Sequence, residues 1–137
     1  MNIVKTYLWL GLCLGLVLAG CGPTGPVRHE VIGIVLVDGK PTERVMVQFH
    51  AAPEQLQGDD RYPVAITDAQ GQFRINEGAV QPGALQGRYQ VTFSWLSSPG
   101  LDAVDKFKGA LADVRKSKFE VDVPHVGELK FSLQSPQ

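Results

Sequence analysis

Few side chains in this 137-residue chain have types and spacing suited to chemistry. Its two thiols are Cys13, inside an apolar run, and Cys21, at the end of that run. No cysteine follows Cys21, so the body has no internal disulfide, no cysteine zinc site and no thiol nucleophile. The three imidazoles, His29, His50 and His125, are far apart and none lies in a His-Glu-x-x-His frame. Asp59-Asp60 and Asp68 invite a calcium reading, but "DAQGQF" lacks the alternating Asp/Asn ligands of a calcium loop. Asp68 is better suited to holding a turn. Ser94, Ser97 and Ser98 sit outside any Gly-x-Ser-x-Gly elbow, and no phosphate-binding glycine loop is present. Asn76, beside Glu77, is the one asparagine of the body that an isopeptide crosslink would need, and no lysine lies near it in sequence. The expectation is a body with no catalytic residue, no metal ligand set and no cofactor site.

Cys21 is different. Residues 1–6 carry one charge, Lys5, and residues 7–19 read "YLWLGLCLGLVLA". As a helix that run rises about 20 Å, short of the roughly 30 Å hydrocarbon core of a bilayer. Gly11, Gly15 and Gly20 weaken a spanning helix further. A charged start, a short apolar stretch and small residues before a cut make up a secretory signal. Its last four residues, Leu18-Ala19-Gly20-Cys21, resemble the bacterial lipobox. That resemblance implies a diacylglycerol on the Cys21 thiol, cleavage between Gly20 and Cys21, and acylation of the new amine. Two or more acyl chains anchor a protein stably where one is marginal. Gly22 rather than Asp after the cysteine favours, by the same resemblance, the outer membrane, with the body facing the periplasm or the surface. The chain then divides into a signal peptide (1–20), a lipidated cysteine with a Gly/Pro tether (21–26) and a folded domain (27–134).

The charge fits that division. The chain holds 13 basic and 14 acidic side chains, a formal net charge of −1. Basic residues in "KFKGALADVRKSK" are interleaved with Asp113 and flanked by Asp102, Asp105 and Glu120. That is a mixed solvated surface, not the concentrated basic face of a nucleic-acid binder.

The elements that position these groups read as strands. Residues 31–37 are β-branched and apolar, and Asp38-Gly39-Lys40-Pro41 is turn chemistry. Val45, Val47 and Phe49 alternate with Met46, Gln48 and His50, which puts His50 on the wet face. Residues 51–63 form a long loop, with one helical turn at 54–56. A short strand at 64–67 and a second at Phe73 and Ile75 flank an Asp68–Gly71 turn. Residues 78–87 are another loop. "GRYQVTFSW" alternates most cleanly: Tyr89, Val91, Phe93 and Trp95 on a core face, Arg88, Gln90, Thr92 and Ser94 on the other. Residues 97–116 are an irregular excursion with at most short helical turns. Leu101, Val104, Leu111 and Val114 would line one side of a helix there, but Gly109 weakens it. Phe119, Val121 and Val123, then Leu129, Phe131 and Leu133, form the last two strands. Seven strands with regular turns predict an all-β sandwich. Ile32, Ile34 and Leu36 are apolar on the outer side of the first strand, and the excursion is the expected cover.

The order of these segments resembles the carboxypeptidase regulatory-like, or transthyretin-like, domain of bacterial surface lipoproteins. The shared positions are Val31, Gly33 and Val35; Gly39 and Pro41; Val45, Val47 and Phe49; Thr67, Asp68, Gly71 and Phe73; and Gly87, Tyr89 and Val91. The resemblance implies a seven-stranded Greek-key, prealbumin-like β-sandwich without enzymatic activity. The function expected is a lipid-anchored envelope module with a structural or protein-interaction role. A carbohydrate or small-ligand module at the cell surface, binding through the loops at one end of the sandwich, is the alternative. Trp95 is the candidate stacking platform, but parity with Tyr89, Val91 and Phe93 assigns it to the core. One transthyretin-like branch hydrolyses a purine-derived ring and ends in Tyr-Arg-Gly-Ser; this chain ends "LQSPQ". The partners expected are the membrane, through the lipid, and an envelope protein or glycan, with no nucleic acid.

Overall fold

The computed structural model describes Gly20, Gly22 and residues 25–137. Regular structure begins with β1 (Arg28–His29) and β2 (Ile32–Val37), then β3 (Lys40–Pro41), β4 (Val45–Ala51) and β5 (Val64–Ile66). It continues with β6 (Gln72–Arg74), β7 (Ala84–Leu85), β8 (Gly87–Trp95), β9 (Phe119–Val123) and β10 (Leu129–Leu133). Two single 3-10 turns, Gly58–Arg61 and Val114–Lys116, are the helical content of the described residues. The domain is therefore all-β. The strand count is ten rather than seven. The additions β1, β3 and β7 have two residues each, too short to show a period. β7 lies within the segment read as a loop.

One sheet is centred on β2. Its one edge pairs in parallel with β10, Leu129 opposite Gly33 through Leu133 opposite Val37. Its other edge pairs antiparallel with β6 and then β3. β2 thus lies between two strands, and Gly33 marks the tightest point. A Cβ on Gly33 would fall 2.5 Å from the Phe73 ring and 2.8 Å from the Leu129 carbonyl oxygen. The second sheet is antiparallel throughout, in the order β5-β4-β8-β9. β1 and β7 form a separate two-stranded ribbon.

The two four-stranded sheets share one core, an arrangement consistent with a β-sandwich. Alternation is the cause: Val45, Val47, Phe49 and Ala51 of β4 are buried while Met46, Gln48 and His50 are not fully so. Phe131 of β10 meets Phe93 of β8 edge to face at 5.0 Å between centroids and stacks on Phe73 of β6 at 6.0 Å. Such ring pairs add to the area they bury. Tyr89 is fully buried beside Phe49, and its hydroxyl donates to the Leu85 carbonyl at 2.7 Å. Burial, and next the charge of Asp60, pushes the Tyr89 hydroxyl up to about 12.

Residues 97–116 are irregular, as expected, but no apolar stripe anchors them. Leu101 and Val104 are exposed; the fully buried anchor is Phe107. The excursion completes a sheet edge. β9 pairs with β8 from Gly87 to Val91. Beyond that point the Phe93 N–H donates to Leu111, and the Lys106 N–H donates to Trp95. An open strand edge is thereby closed. These backbone bonds go to β8, and none of them reaches the strand that carries Ile32, Ile34 and Leu36. Those three side chains are half-buried on the outer face of β2.

Candidate functional site

Cys21, the assigned lipid attachment point, lies outside the described residues, as do Cys13 and residues 1–19 of the signal. The candidates in the body are scattered. His29 is in β1, His50 in β4, and His125 is exposed in the β9–β10 connection. Among the described residues no group of three or more His, Cys, Asp or Glu side chains is placed to hold a metal ion. Asp60 pairs with Arg28 at 2.6 Å. Asp68 Oδ1 accepts from the amides of Gln70 and Gln72, both at 2.9 Å, and so holds its own turn. Asn76 is a clasp between loops, accepting from the Val64 amide and donating to the Gly83 carbonyl.

Trp95 sits at the end of β8, partly buried against the core. Its ring is occupied: the Lys106 ammonium lies 3.7 Å from the centroid, and Phe107 packs on it at 5.6 Å. Beneath, the Asp105 carboxylate accepts from three amides: Trp95 at 2.8 Å, Phe107 at 2.9 Å and Gly109 at 3.0 Å. A sugar would have to displace Lys106 to stack on this ring.

The other end of β8 holds a hollow of about 390 Å³ on the outer face of the second sheet, lined by both apolar and polar side chains. The register of β4 on β8 sets His50 opposite Gln90, with Thr92 one step along the same face. His50 Nε2 and Thr92 Oγ1 are 2.8 Å apart. Alternation placed both on the wet face, but Thr92 is buried and His50 half-buried. The reason is the 52–63 loop, whose 3-10 turn packs on β4, while the Val114–Lys116 turn packs on β8. Tyr62 meets the His50 ring edge to face at 5.7 Å, and the Arg61 guanidinium lies 5.1 Å from the Tyr62 centroid. Burial, and next the Arg61 charge, holds the His50 imidazole below its ordinary value. Arg88 at the rim pairs with Glu120 at 3.1 Å and Asp122 at 2.9 Å.

Chemically the hollow offers donors. Thr92 makes no other side-chain hydrogen bond, so a hydroxyl donating to Nε2 satisfies both partners. In that arrangement the neutral imidazole carries its proton on Nδ1; with Nε2–H as the donor instead, Nδ1 would be an acceptor. No carboxylate orients His50 as a general base, and Thr92 is too buried to reach a substrate. Sequence reasoning missed Arg61 because nothing local in Gly58–Arg61 marks it; the β4–β8 register and the loop path bring it to His50.

No family model matches the chain, and no curated protein matches it. Among solved structures it is similar to the dioxygenase domain of a dioxygenase and carbohydrate-binding protein fusion from the cellulolytic bacterium Streptomyces sp. SirexAA-E. The identity is 20%, the match covers 84% of each chain, and the TM-score is 0.42, too loose a likeness to bear on fold or function.

Proposed function

We propose that this chain is a lipid-anchored, non-enzymatic β-sandwich module of a bacterial cell envelope, with a structural or protein-interaction role. One observation carries the reading: Cys21 closes an apolar run with small residues before it and stands a few positions ahead of the first strand at Arg28. Six intervening residues span at most about 20 Å, so a lipid on Cys21 would hold the domain against the bilayer. Gly22 favours the outer membrane. A Greek-key sandwich is supported by the Tyr89–Leu85 hydrogen bond, which has the form of the tyrosine corner of immunoglobulin-type Greek-key sandwiches; the transthyretin-like kind rests on the order of the sequence motifs. The non-enzymatic reading rests on the sequence resemblance and agrees with the burial of Thr92, which keeps its hydroxyl from a substrate. Occupation of the Trp95 ring by Lys106 weighs against a sugar-stacking module.

Metabolic labelling with an alkyne fatty acid tests the anchor. The wild-type chain is expected to take label and to fractionate with membranes. Cys21→Ser is expected to do neither, and equal labelling of that variant would overturn the proposal. Pull-down of the lipidated chain from its own envelope would then identify the protein partner.

A further inference from the structure

We propose that the hollow bounded by β4, β8 and the 52–63 loop binds a small organic oxyanion, with Arg61 as charge partner, His50 as second donor and the Tyr62 ring against the ligand's body. The inference is independent of lipid anchoring. It starts from the arginines. The chain has six, all among the described residues. Five are ion-paired: Arg28 with Asp60, Arg44 with Glu43, Arg74 with Glu30, Arg88 with Asp122 and Arg115 with Asp113. Arg61 makes no ion pair and no side-chain hydrogen bond among the described residues, and its Nε is shielded from solvent without a partner. Arg44 shares the shielded Nε, but its Nη1 reaches Glu43 at 2.8 Å.

A part-buried guanidinium without an acceptor is a costly group to keep, and an oxyanion is the acceptor it lacks. The protein does not supply one from nearby. Asp60, adjacent in sequence, is committed to Arg28. None of the residues lining the hollow is Asp or Glu. At the rim, Glu120 and Asp122 are held by Arg88.

The second donor follows from the Thr92 contact. In the tautomer proposed, the Thr92 hydroxyl donates to Nε2, which leaves Nδ1–H as the donor of a neutral ring. The charges and titratable groups facing His50 are Arg61 and Tyr62 from the loop and Arg88 from β8. The remaining wall is formed by Ala51, Ala52, Pro53, Val114 and the Tyr62 ring, with the amide side chains of Gln55 and Gln90 as its uncharged polar members. A volume of about 390 Å³ suits one ring-sized body with one charged head. Carboxylate and phosphate share the required chemistry, and the probes below separate them.

The test uses the full chain in neutral maltoside micelles, with NMR observation of the arginine Nε–H and histidine ring signals. The probes are benzoate, phenyl phosphate and, as the uncharged control, benzamide. Benzoate or phenyl phosphate is expected to shift the Arg61 and His50 signals saturably by about 10 mM, and the tighter of the two names the head group. Arg61→Gln is expected to weaken binding about tenfold and His50→Gln about threefold. Arg74→Gln, on the other sheet, is the charge-matched control and is expected to bind like wild type. Near-UV circular dichroism checks that Arg61→Gln keeps its fold. The proposal is overturned by equal shifts with benzamide, by no saturable shift at Arg61, or by unchanged affinity in a folded Arg61→Gln.

Discussion

The two ends of β8 carry the two polar clusters of this domain, and they are built to opposite plans. At the Trp95 end the charged groups face inward on the protein. Asp105 is committed to three backbone amides and Lys106 to an indole ring. At the Arg88 end only Arg88 is ion-paired: among the described residues Arg61 has no hydrogen-bond acceptor, and His50 keeps a free ring nitrogen. The first cluster closes the edge of a strand where β9 stops. The second closes nothing. A polar cluster that holds the fold should be sensitive to substitution, and one free of that duty should not be.

The largest effect is therefore expected at the Trp95 end. Phe107→Ala removes the fully buried anchor of the excursion and leaves a cavity beside Trp95. A loss of about 3–5 kcal/mol is expected in urea unfolding. A loss below about 1 kcal/mol would mean that the excursion is not integral to the core. Asp105→Ala follows. It leaves the amides of Trp95, Phe107 and Gly109 without their acceptor, for an expected loss of about 2–3 kcal/mol. Asp105→Asn keeps one oxygen, the one that serves Trp95 and Phe107, and should lose about half as much. Equal losses in the two variants would show that charge, not acceptor geometry, holds the turn.

Neither cluster was fully legible in the sequence, for different physical reasons. Period-two alternation revealed β4, β8, β9 and β10, because a sheet with one buried face writes that period directly. Turn chemistry revealed the Asp68–Gly71 bend. Phe107 stayed hidden because it anchors irregular chain, where no period exists to pick one residue out from its Lys and Gly neighbours. Parity placed Thr92 on the correct face, opposite Tyr89, but alternation says nothing about a loop folding over that face, so the burial of Thr92 was not legible. The parallel pairing of β10 with β2 and the meeting of Arg61 with His50 depend on register and on loop paths, which single-sequence patterns do not carry.

The contrast sharpens at the hollow. Thr92→Val keeps shape and removes the hydroxyl that His50 meets, for an expected loss of about 1 kcal/mol. The pH dependence has a definite sign. The imidazole of His50 lies below its ordinary value in the folded state, so below about pH 6.5 the unfolded chain binds the extra proton first. Stability from this group is complete above that pH and is lost as pH falls through the folded value. His50→Gln should flatten that acid limb of the stability curve. If the slope between neutral pH and pH 5 is the same in His50→Gln, the loop does not shield the ring.

Arg61→Gln should have the smallest effect and is the most discriminating. Five arginines have acidic partners, of which only the Arg28 pair is largely buried, while Arg61 has none among the described residues. Removing its charge relieves a part-buried donor and a repulsive neighbour of His50. The expected change in unfolding free energy is within about 0.5 kcal/mol, on the side of gain. Arg28→Gln is the matched comparison. Arg28 is largely buried, pairs with Asp60 at 2.6 Å and donates to Gln81 at 3.0 Å, so about 1–2 kcal/mol should be lost. If Arg61→Gln costs as much as Arg28→Gln, then the Tyr62 contact makes Arg61 part of the fold. The two ends of β8 would then be the same kind of structure, and the donors of the hollow would be retained for stability rather than for a ligand.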